Sequence, residues 1–261
     1  SNLGQFRNTP ASNVWAAHPN RTSSKSSLLA ADPHNSLTAP GYWSLARLEL
    51  RNGGIIGATI PGIPLIMSGR SKYLAWGFSA GNGDDTDIYI EQLNPLDETQ
   101  YNDGNNFVSF DTKKEIIKIY GSKSRTIDLL WANNRPVLPN NFFNIRQIMP
   151  QNKAASIKST ALDSFDKSYS SLFNMTTQTN IKSAQSQFND YVTPIYNMVL
   201  ADKDNVTLKV IGKIPRRNPN HFGQGRLPSQ GWLKRNQWNG YYDYLENPAI
   251  MNPNNGIVAN T

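Results

Sequence analysis

The chain has 261 residues, 38% of them hydrophobic, a formal net charge of +7 and no cysteine. That length and apolar content suffice for one large core or two ordinary ones and exclude a disordered chain. The lack of cysteine excludes thiol catalysis, disulfides and thiolate metal sites, and three histidines argue against a histidine-rich metal centre. No stretch approaches the roughly 18 consecutive apolar residues of a membrane span. No basic run precedes an apolar one near the start, so any export signal would lie outside this sequence. The basic residues fall in short scattered groups, "SKSR" from Ser122, "PRRNPN" from Pro215 and "LKRNQW" from Leu233. No nucleic-acid-reading motif accompanies them, so the charge reads as solvated surface and no nucleic-acid partner is expected.

From Asn13 to Leu93, short apolar or alternating stretches are separated by Gly, Pro, Asn and Ser, which predicts strand after strand in a layered antiparallel sheet. "YWSLARLEL" nearly alternates through Trp43, Leu45, Leu48 and Leu50, and "GGIIGATI", "PLIMSG" and "YLAWGF" follow at short spacing. Trp15, Trp43 and Trp76 sit on these runs and are assigned to the core. "EIIKIYG" and "RTIDLLW" predict a hairpin turning near Gly121 and Ser122, and "RPVLP" opens another strand. After Pro150, "DSFDKSYSSLFNM" places Phe165, Tyr169, Leu172 and Phe173 at helical spacing, and "NIKSAQSQFNDYV" predicts a second helix. "TPIYNMVLADKDNVTLKVIGKIP" reads as a hairpin turning between Asp202 and Asn205, with Tyr196, Met198 and Leu200 alternating on its first arm. From Arg216 onward, Pro, Gly, Asn and aromatics predict irregular but ordered surface. No internal repeat or low-complexity linker interrupts the chain. The expectation is a single layered α+β domain over residues 12–261, preceded by a segment of residues 1–11.

A Ser-Asn pair in a chain rich in both residues carries little by itself. Its context is an ordered set: "ASNVW", "LLAADPH", "LTAPGYW", "GATIPGIPLIMSG", "LAWGFSAGNGDDTDIYIEQLNP" and finally "NPNNGIVAN". Together these segments resemble, in order and spacing, the start of the β-chain of the penicillin acylase family of N-terminal nucleophile hydrolases. The resemblance covers most of Ser12 to Gln92, thins through the middle, and returns in "RLPSQGW" and "NPNNGIVAN". It implies an αββα sandwich of mostly antiparallel sheets, incomplete in this chain, and a precursor that cuts itself before the nucleophile. Ser12 is the matching serine. Once it is N-terminal, its α-amine can act as base, directly or through a water, so no separate histidine–aspartate pair is needed.

The same resemblance implies further site residues. His34 stands where the family often carries His or Gln close to the nucleophile, which implies a catalytic-site residue that orients the Ser12 amine or hydroxyl, by backbone positioning rather than proton transfer; a plain turn residue after Pro33 is the alternative. Ala80 matches the residue whose backbone N–H helps to form the oxyanion hole. Asn35 and Ser68 stand where penicillin-specific members place bulky aromatics on the acyl pocket, which points to a longer aliphatic acyl chain, as in acyl-homoserine lactones. In "GDDTD", Asp84, Asp87 and the Thr86 carbonyl match calcium ligands, with a solvated acidic loop as the alternative. Calcium takes six to eight oxygens, and in the family a Glu of the other chain completes the site. Gly225 stands where the family can place a proline carbonyl. Any calcium here is therefore expected to be structural and weakly held.

The family's side-chain amide donor to the oxyanion lies two residues beyond the position of Asn260, whereas this sequence ends at Thr261. The expectation is thus an N-terminal part of an acylase β-chain, missing the α-chain and the C-terminal remainder of the β-chain, and inactive as it stands. The whole protein is expected to be a periplasmic or secreted bacterial hydrolase that cleaves the amide bond of N-acylated small molecules, acyl-homoserine lactones or penicillin-type amides. Two readings from other classes stay open: a catalytically silent domain in which Ser12 is never freed, and a β-rich module binding carbohydrate or nucleic acid.

Overall fold

A computed structural model describes residues 12–35, 38–51, 53–142 and 145–260. The expected leading segment of residues 1–11, and Thr261, lie outside the described residues. In chain order the strands and helices are β1 (Ser12–Ala17), β2 (Leu28–Pro33), β3 (Ser44–Leu48), β4 (Ile55–Thr59), β5 (Ser68–Arg70) and β6 (Ala75–Ala80). Then come β7 (Thr86–Asn94), β8 (Asp97–Asn102), β9 (Phe107–Ser109), β10 (Asp111–Ile117), β11 (Arg125–Ala132), β12 (Arg135–Pro136), α1 (Ile145–Ile148) and β13 (Lys153–Ser159). They are followed by α2 (Ser168–Met175), α3 (Ile181–Gln185), β14 (Tyr196–Ala201) and β15 (Val206–Ile211). The chain closes with β16 (Pro215–Arg217), β17 (Ser229–Gln230), β18 (Trp238–Tyr241), β19 (Ala249–Met251) and β20 (Ile257–Asn260). These elements fall into two compact units, one of residues 1–83, 163–213 and 242–261, the other of residues 84–162 and 214–241.

The first unit is layered. A seven-stranded sheet runs in the order β19-β15-β14-β6-β5-β4-β3, and a three-stranded sheet in the order β2-β1-β20; every pairing in both is antiparallel. Side chains alternate across β14. Met198 and Leu200 turn to one face, where they meet Trp76, Ile211, Met175 of α2 and Ile181 and Ala184 of α3. Val199 and Ala201 turn to the other face, where they meet Val14 and Ala16 of β1 and Val258 of β20. The result is helix on sheet on sheet, the arrangement expected from the sequence. Trp76 is fully buried and its indole N–H donates to the Ile66 carbonyl at 2.9 Å, so its polar handle costs nothing while its burial contributes on the order of 2–3 kcal/mol.

Gly77 permits the close approach of the two sheets. A Cβ at this position would fall 2.9 Å from Ala31 Cβ of β2 and 2.9 Å from Val14 Cγ2 of β1, inside any tolerable contact. A bare strand backbone at the middle of β6 therefore sets how near β1 can come, and with it the place of the first residue of β1.

Trp15 and the first long helix of this unit depart from expectation. Trp15 is 42% exposed, because Val14 and Ala16 take the inward face of β1 and the period of two turns Trp15 to the other side. The helix begins at Ser168, later than its pattern suggested, and leaves Phe165, Tyr169 and Phe173 exposed. Its packed face is instead Ser168, Ser171, Leu172 and Met175. The Ser168 hydroxyl accepts the N–H groups of Val192 and Thr193 at 2.8 and 2.9 Å, so a small polar residue takes the inward position that helical spacing alone awards to an aromatic. The β14–β15 hairpin turns where expected, with Asp202 Oδ1 accepting from the N–H groups of Asp204 and Asn205.

In the second unit a five-stranded sheet carries β13-β7-β8-β9, with β17 pairing parallel to β7. The β10–β11 hairpin continues into β12, as read from the sequence, although β10 starts at Asp111 and Ile119 and Tyr120 fall in the loop. On β7 the buried face is Asp87, Tyr89 and Glu91, an inversion of the usual rule. Glu91 is neutralised by Arg135, whose Nη2 donates to Oε1 at 2.8 Å, while the Ser156 hydroxyl donates to the same oxygen. Arg135 also donates to Gln237 Oε1 at 2.7 Å and stacks its guanidinium 4.5 Å from the centre of the Tyr89 ring. The stretch from Arg216, expected to be irregular surface, contributes the buried residues His221, Ser229, Asn236 and Trp238.

Candidate active site

Ser12 opens β1 and Ala80 closes β6. The register of β1 on β2 sets Ser12 opposite Pro33 and Val14 opposite Ala31, and Gly77 then lets β1 settle onto β6. The outcome is a direct contact across 68 residues of sequence: the Ala80 N–H donates to Ser12 Oγ at 2.9 Å. A carbonyl carbon bonded to Oγ in a tetrahedral adduct carries its oxyanion only two bonds from that oxygen. A donor already aimed at Oγ is therefore within reach of such an oxyanion and needs no rearrangement to meet it.

Around Ala80 the face toward the three-stranded sheet turns from apolar to polar. Asn197 of β14 lies opposite Ser79 in register, and its Nδ2 donates to the Ala80 carbonyl at 3.0 Å and to Ser79 Oγ at 3.4 Å. The Ser79 hydroxyl donates to Asn260 Oδ1 at 2.7 Å, and Asn260 pairs with Val14 on the other side of β1. The polar interruption of the apolar run "IYNMVLA" is the sequence signal that points to Asn197, a residue that strand alternation alone does not single out.

His34 follows Pro33, the register partner of Ser12. Its imidazole Nε2 lies 3.0 Å from Asp32 Oδ2, and both side chains are exposed; it is engaged there and not at the serine oxygen. Asn35 Oδ1 accepts from the indole N–H of Trp43 at 2.8 Å. Ser68, on β5, donates weakly to the Trp76 carbonyl at 3.4 Å. Trp43, expected in the core, is half-buried and serves to hold Asn35.

The acidic loop belongs to the second unit. Asp87 is 1% exposed, and donors surround it. Arg217 Nη2 donates to Oδ1 at 2.5 Å, Arg217 Nε lies 3.2 Å from both oxygens, and Trp238 Nε1–H donates to Oδ2 at 2.8 Å. His221 Nε2 stands 3.4 Å from Oδ2. The same Arg217 Nη2 donates to the Asp84 carbonyl at 3.0 Å and lies 3.4 Å from Asp84 Oδ1. The Thr86 hydroxyl is turned to Ser159 at 2.8 Å. Burial opposes the charge on Arg217, but its hydrogen bond to Asp87 and the charges of Asp87 and Asp84 outweigh that and hold its pKa above the ordinary arginine value.

Calcium needs oxygen acceptors on most of its surface, whereas here a guanidinium fills the space between the two carboxylates. No group of three or more His, Asp or Glu side chains among the described residues could hold a metal ion. Gly225 closes over the ion pair: at φ +87° it has no Cβ, which would fall 2.5 Å from Asp84 Oδ2 and 2.7 Å from Arg217 Cζ. The residues present therefore do not fit a calcium ion, and Arg217, read from the sequence as scattered surface charge, is the reason. A cleft of about 1080 Å³ in the second unit, lined by Leu93, Phe110, Leu130, Leu138 and Met149 among others, contains none of these residues.

The penicillin amidase family profile matches residues 2–261. The acyl-homoserine lactone acylase QuiP of Pseudomonas fluorescens is 27% identical over 96% of this chain and 30% of its own length. The QuiP of Pseudomonas syringae pv. tomato is 29% identical over 95% of this chain and 29% of its own. Penicillin G acylase of Escherichia coli is 26% identical over 95% and 28% respectively. The chain thus spans about 30% of the length of the curated relatives it matches. In fold it is similar to a thermostable penicillin G acylase from Alcaligenes faecalis, with a TM-score of 0.79 at 24% identity over 95% of this chain and 43% of that one. With a serine and a backbone donor joined at the edge of stacked antiparallel sheets, and a family match that runs nearly end to end, the chain belongs to the penicillin amidase family, a family of amide hydrolases.

Proposed function

We propose that the whole protein containing this chain hydrolyses the amide bond of N-acylated small molecules, with Ser12 as an N-terminal nucleophile and the Ala80 N–H as an oxyanion donor. The observation that supports this most is the 2.9 Å hydrogen bond from the Ala80 N–H to Ser12 Oγ. In the precursor, Ser12 Oγ attacks the carbonyl carbon of Ala11; the C–N bond breaks, the hydroxyl proton passes to nitrogen, and the resulting ester is hydrolysed by water. This frees the Ser12 amine. In turnover that amine takes the Oγ proton as Oγ attacks the acyl carbon, and the Ala80 N–H meets the oxyanion. The proton then passes to the leaving nitrogen as the C–N bond breaks. Water attacks the acyl ester, which releases the acid and restores Ser12.

The substrate class follows from two supports. The QuiP relatives, at 27% and 29% identity, carry the name of acyl-homoserine lactone acylases, and the positions read as acyl-pocket residues, Asn35 and Ser68, lack the bulky aromatics of penicillin-specific members, which gives the acyl site a different shape. A long aliphatic N-acyl-homoserine lactone is thus preferred over a phenylacetyl amide. Asp84 and Asp87 serve in a structural ion pair with Arg217, with Thr86 between them bonded to Ser159. His34, next to the strand partner of Ser12 and tied to Asp32, serves by positioning the backbone beside Ser12 and not by transferring a proton. Export to the periplasm or beyond completes the reading.

The test is turnover by the full-length protein, with a long-chain N-acyl-homoserine lactone and a phenylacetyl amide offered in parallel and the freed amine measured. Release of homoserine lactone that disappears in Ser12→Ala supports the reading. A folded, correctly targeted protein that releases neither amine contradicts it and favours a silent domain.

A further inference from the structure

The space between the two sheets of the first unit is apolar along most of its length, filled by Val14, Ala16, Val199, Ala201, Val206 and Val258. At the end nearest Ser12 it becomes polar. Ser79 is 1% exposed and Asn197 is 8% exposed, and both face the same layer as those valines. Placing a hydroxyl and an amide in such a layer costs desolvation that alanine and leucine would avoid, so folding alone does not call for them there. Their hydrogen bonds form one directed chain: Asn197 Nδ2 donates to Ser79 Oγ, and the Ser79 hydroxyl donates to Asn260 Oδ1. A second bond from Asn197 Nδ2 reaches the Ala80 carbonyl at 3.0 Å.

These bonds bracket one group. The N–H that meets Ser12 Oγ belongs to the peptide between Ser79 and Ala80, and the carbonyl that Asn197 holds belongs to the next peptide. The side chain of Ser79 itself is held from both sides, by Asn197 and by Asn260. Rotation of the donor peptide would break at least one of these bonds. We propose that Asn197 and Ser79 are positioning residues that hold the Ala80 N–H on the reacting oxygen, with Asn260 anchoring the chain to the strand beside β1. This deepens the reading of Ser12 and Ala80 given above and rests on it. Self-cleavage falls under the same proposal: the oxyanion formed when Ser12 Oγ attacks the carbonyl before it also lies two bonds from Oγ, so the N–H that meets Oγ would serve that step too.

The experiment uses the full-length protein with Asn197→Ala, Ser79→Ala and Ser79→Thr, and measures kcat per titrated active site, KM, and the rate of self-cleavage. Complete loss of an oxyanion donor costs on the order of a hundredfold or more in kcat, and a donor left in place but released costs part of that. Asn197→Ala and Ser79→Ala are expected to lower kcat about tenfold to a hundredfold with KM changed less than about threefold. Self-cleavage should slow by a similar factor, and Ser79→Thr, which keeps the hydroxyl, should restore most of both rates. If Asn197→Ala does not fold, the Ser79 pair decides. A purely structural role would lower the folded fraction but leave kcat per titrated site within about twofold; that result, or a Ser79→Thr protein as slow as Ser79→Ala, overturns the proposal while the nucleophile assignment stands. Absence of both cleavage and turnover in the unsubstituted protein overturns the nucleophile assignment and this proposal together.

Discussion

Replacing Arg217 by Gln removes the guanidinium that meets both Asp84 and Asp87. Asp87 is 1% exposed and then keeps the Trp238 N–H, His221 Nε2 at 3.4 Å, the Tyr89 side chain and the more distant Lys158 charge as its polar surroundings. Breaking a buried ion pair from one side costs about 3–5 kcal/mol, because the remaining charge is left uncompensated. That is a large share of the roughly 5–15 kcal/mol that holds a domain folded. Asp87→Asn in the Arg217→Gln background removes the stranded charge and should recover more than half of the loss, giving a coupling energy well above the measured range for exposed pairs. The assay is denaturant unfolding followed by tryptophan fluorescence, since Trp238 donates to Asp87 and lies 5.8 Å from the Arg217 guanidinium and so reports on the site directly. Millimolar calcium should leave the unsubstituted protein unchanged and raise the stability of Arg217→Gln, whose carboxylates are freed. A loss below about 1 kcal/mol in Arg217→Gln, or tight calcium binding by the unsubstituted protein that Asp87→Asn abolishes, would refute the reasoning.

Gly77→Ala places a methyl against Val14 and Ala31 and should cost about 1–3 kcal/mol by overpacking; because it pushes β1 off β6, self-cleavage and turnover should fall further than stability does, which kinetics at a temperature well below the unfolding transition will show. Asp163 is held below the ordinary carboxylate range by its hydrogen bond to Lys213 at 2.9 Å and by the backbone N–H of Phe165. Its folded pKa lies below the unfolded one, so its contribution is present above the ordinary aspartate pKa of about 4 and is lost as pH falls through the folded value. Asp163→Asn should therefore destabilise by about 1 kcal/mol near neutrality, with the difference from the unsubstituted protein vanishing in acid when unfolding is measured across pH.

Strands and hairpins were legible because alternation and turn chemistry are local. β10–β11 and β14–β15 stand close to where their patterns placed them. The serine and its backbone donor were legible only through an ordered set of segments, since the hydrogen bond that joins them spans 68 residues. What stayed hidden depends on long-range pairing of polar groups. Arg217 looks like one more surface cation until its partners Asp84 and Asp87, on the far side of some 130 residues, are brought to it. Glu91 and Arg135 sit in a protein interior only because they meet there. Three aromatics at helical spacing outweigh Ser168 in any count of apolar residues, whereas two backbone N–H groups that need an acceptor decide which face of α2 packs. Asn197 left a readable trace, one polar residue within an apolar strand, and such interruptions are where a sequence departs from the needs of folding alone.

Ser12 is expected to become the first residue of a working chain and to act through its own amine. N-terminal sequencing of the mature protein, made from the full-length coding sequence, tests this most directly. The account predicts a chain that begins Ser12, Asn13, Val14, Trp15, and a Ser12→Ala protein that remains a single uncut chain without amidase activity. A mature chain that begins at any other residue, or an uncut protein that hydrolyses acyl amides, would contradict it.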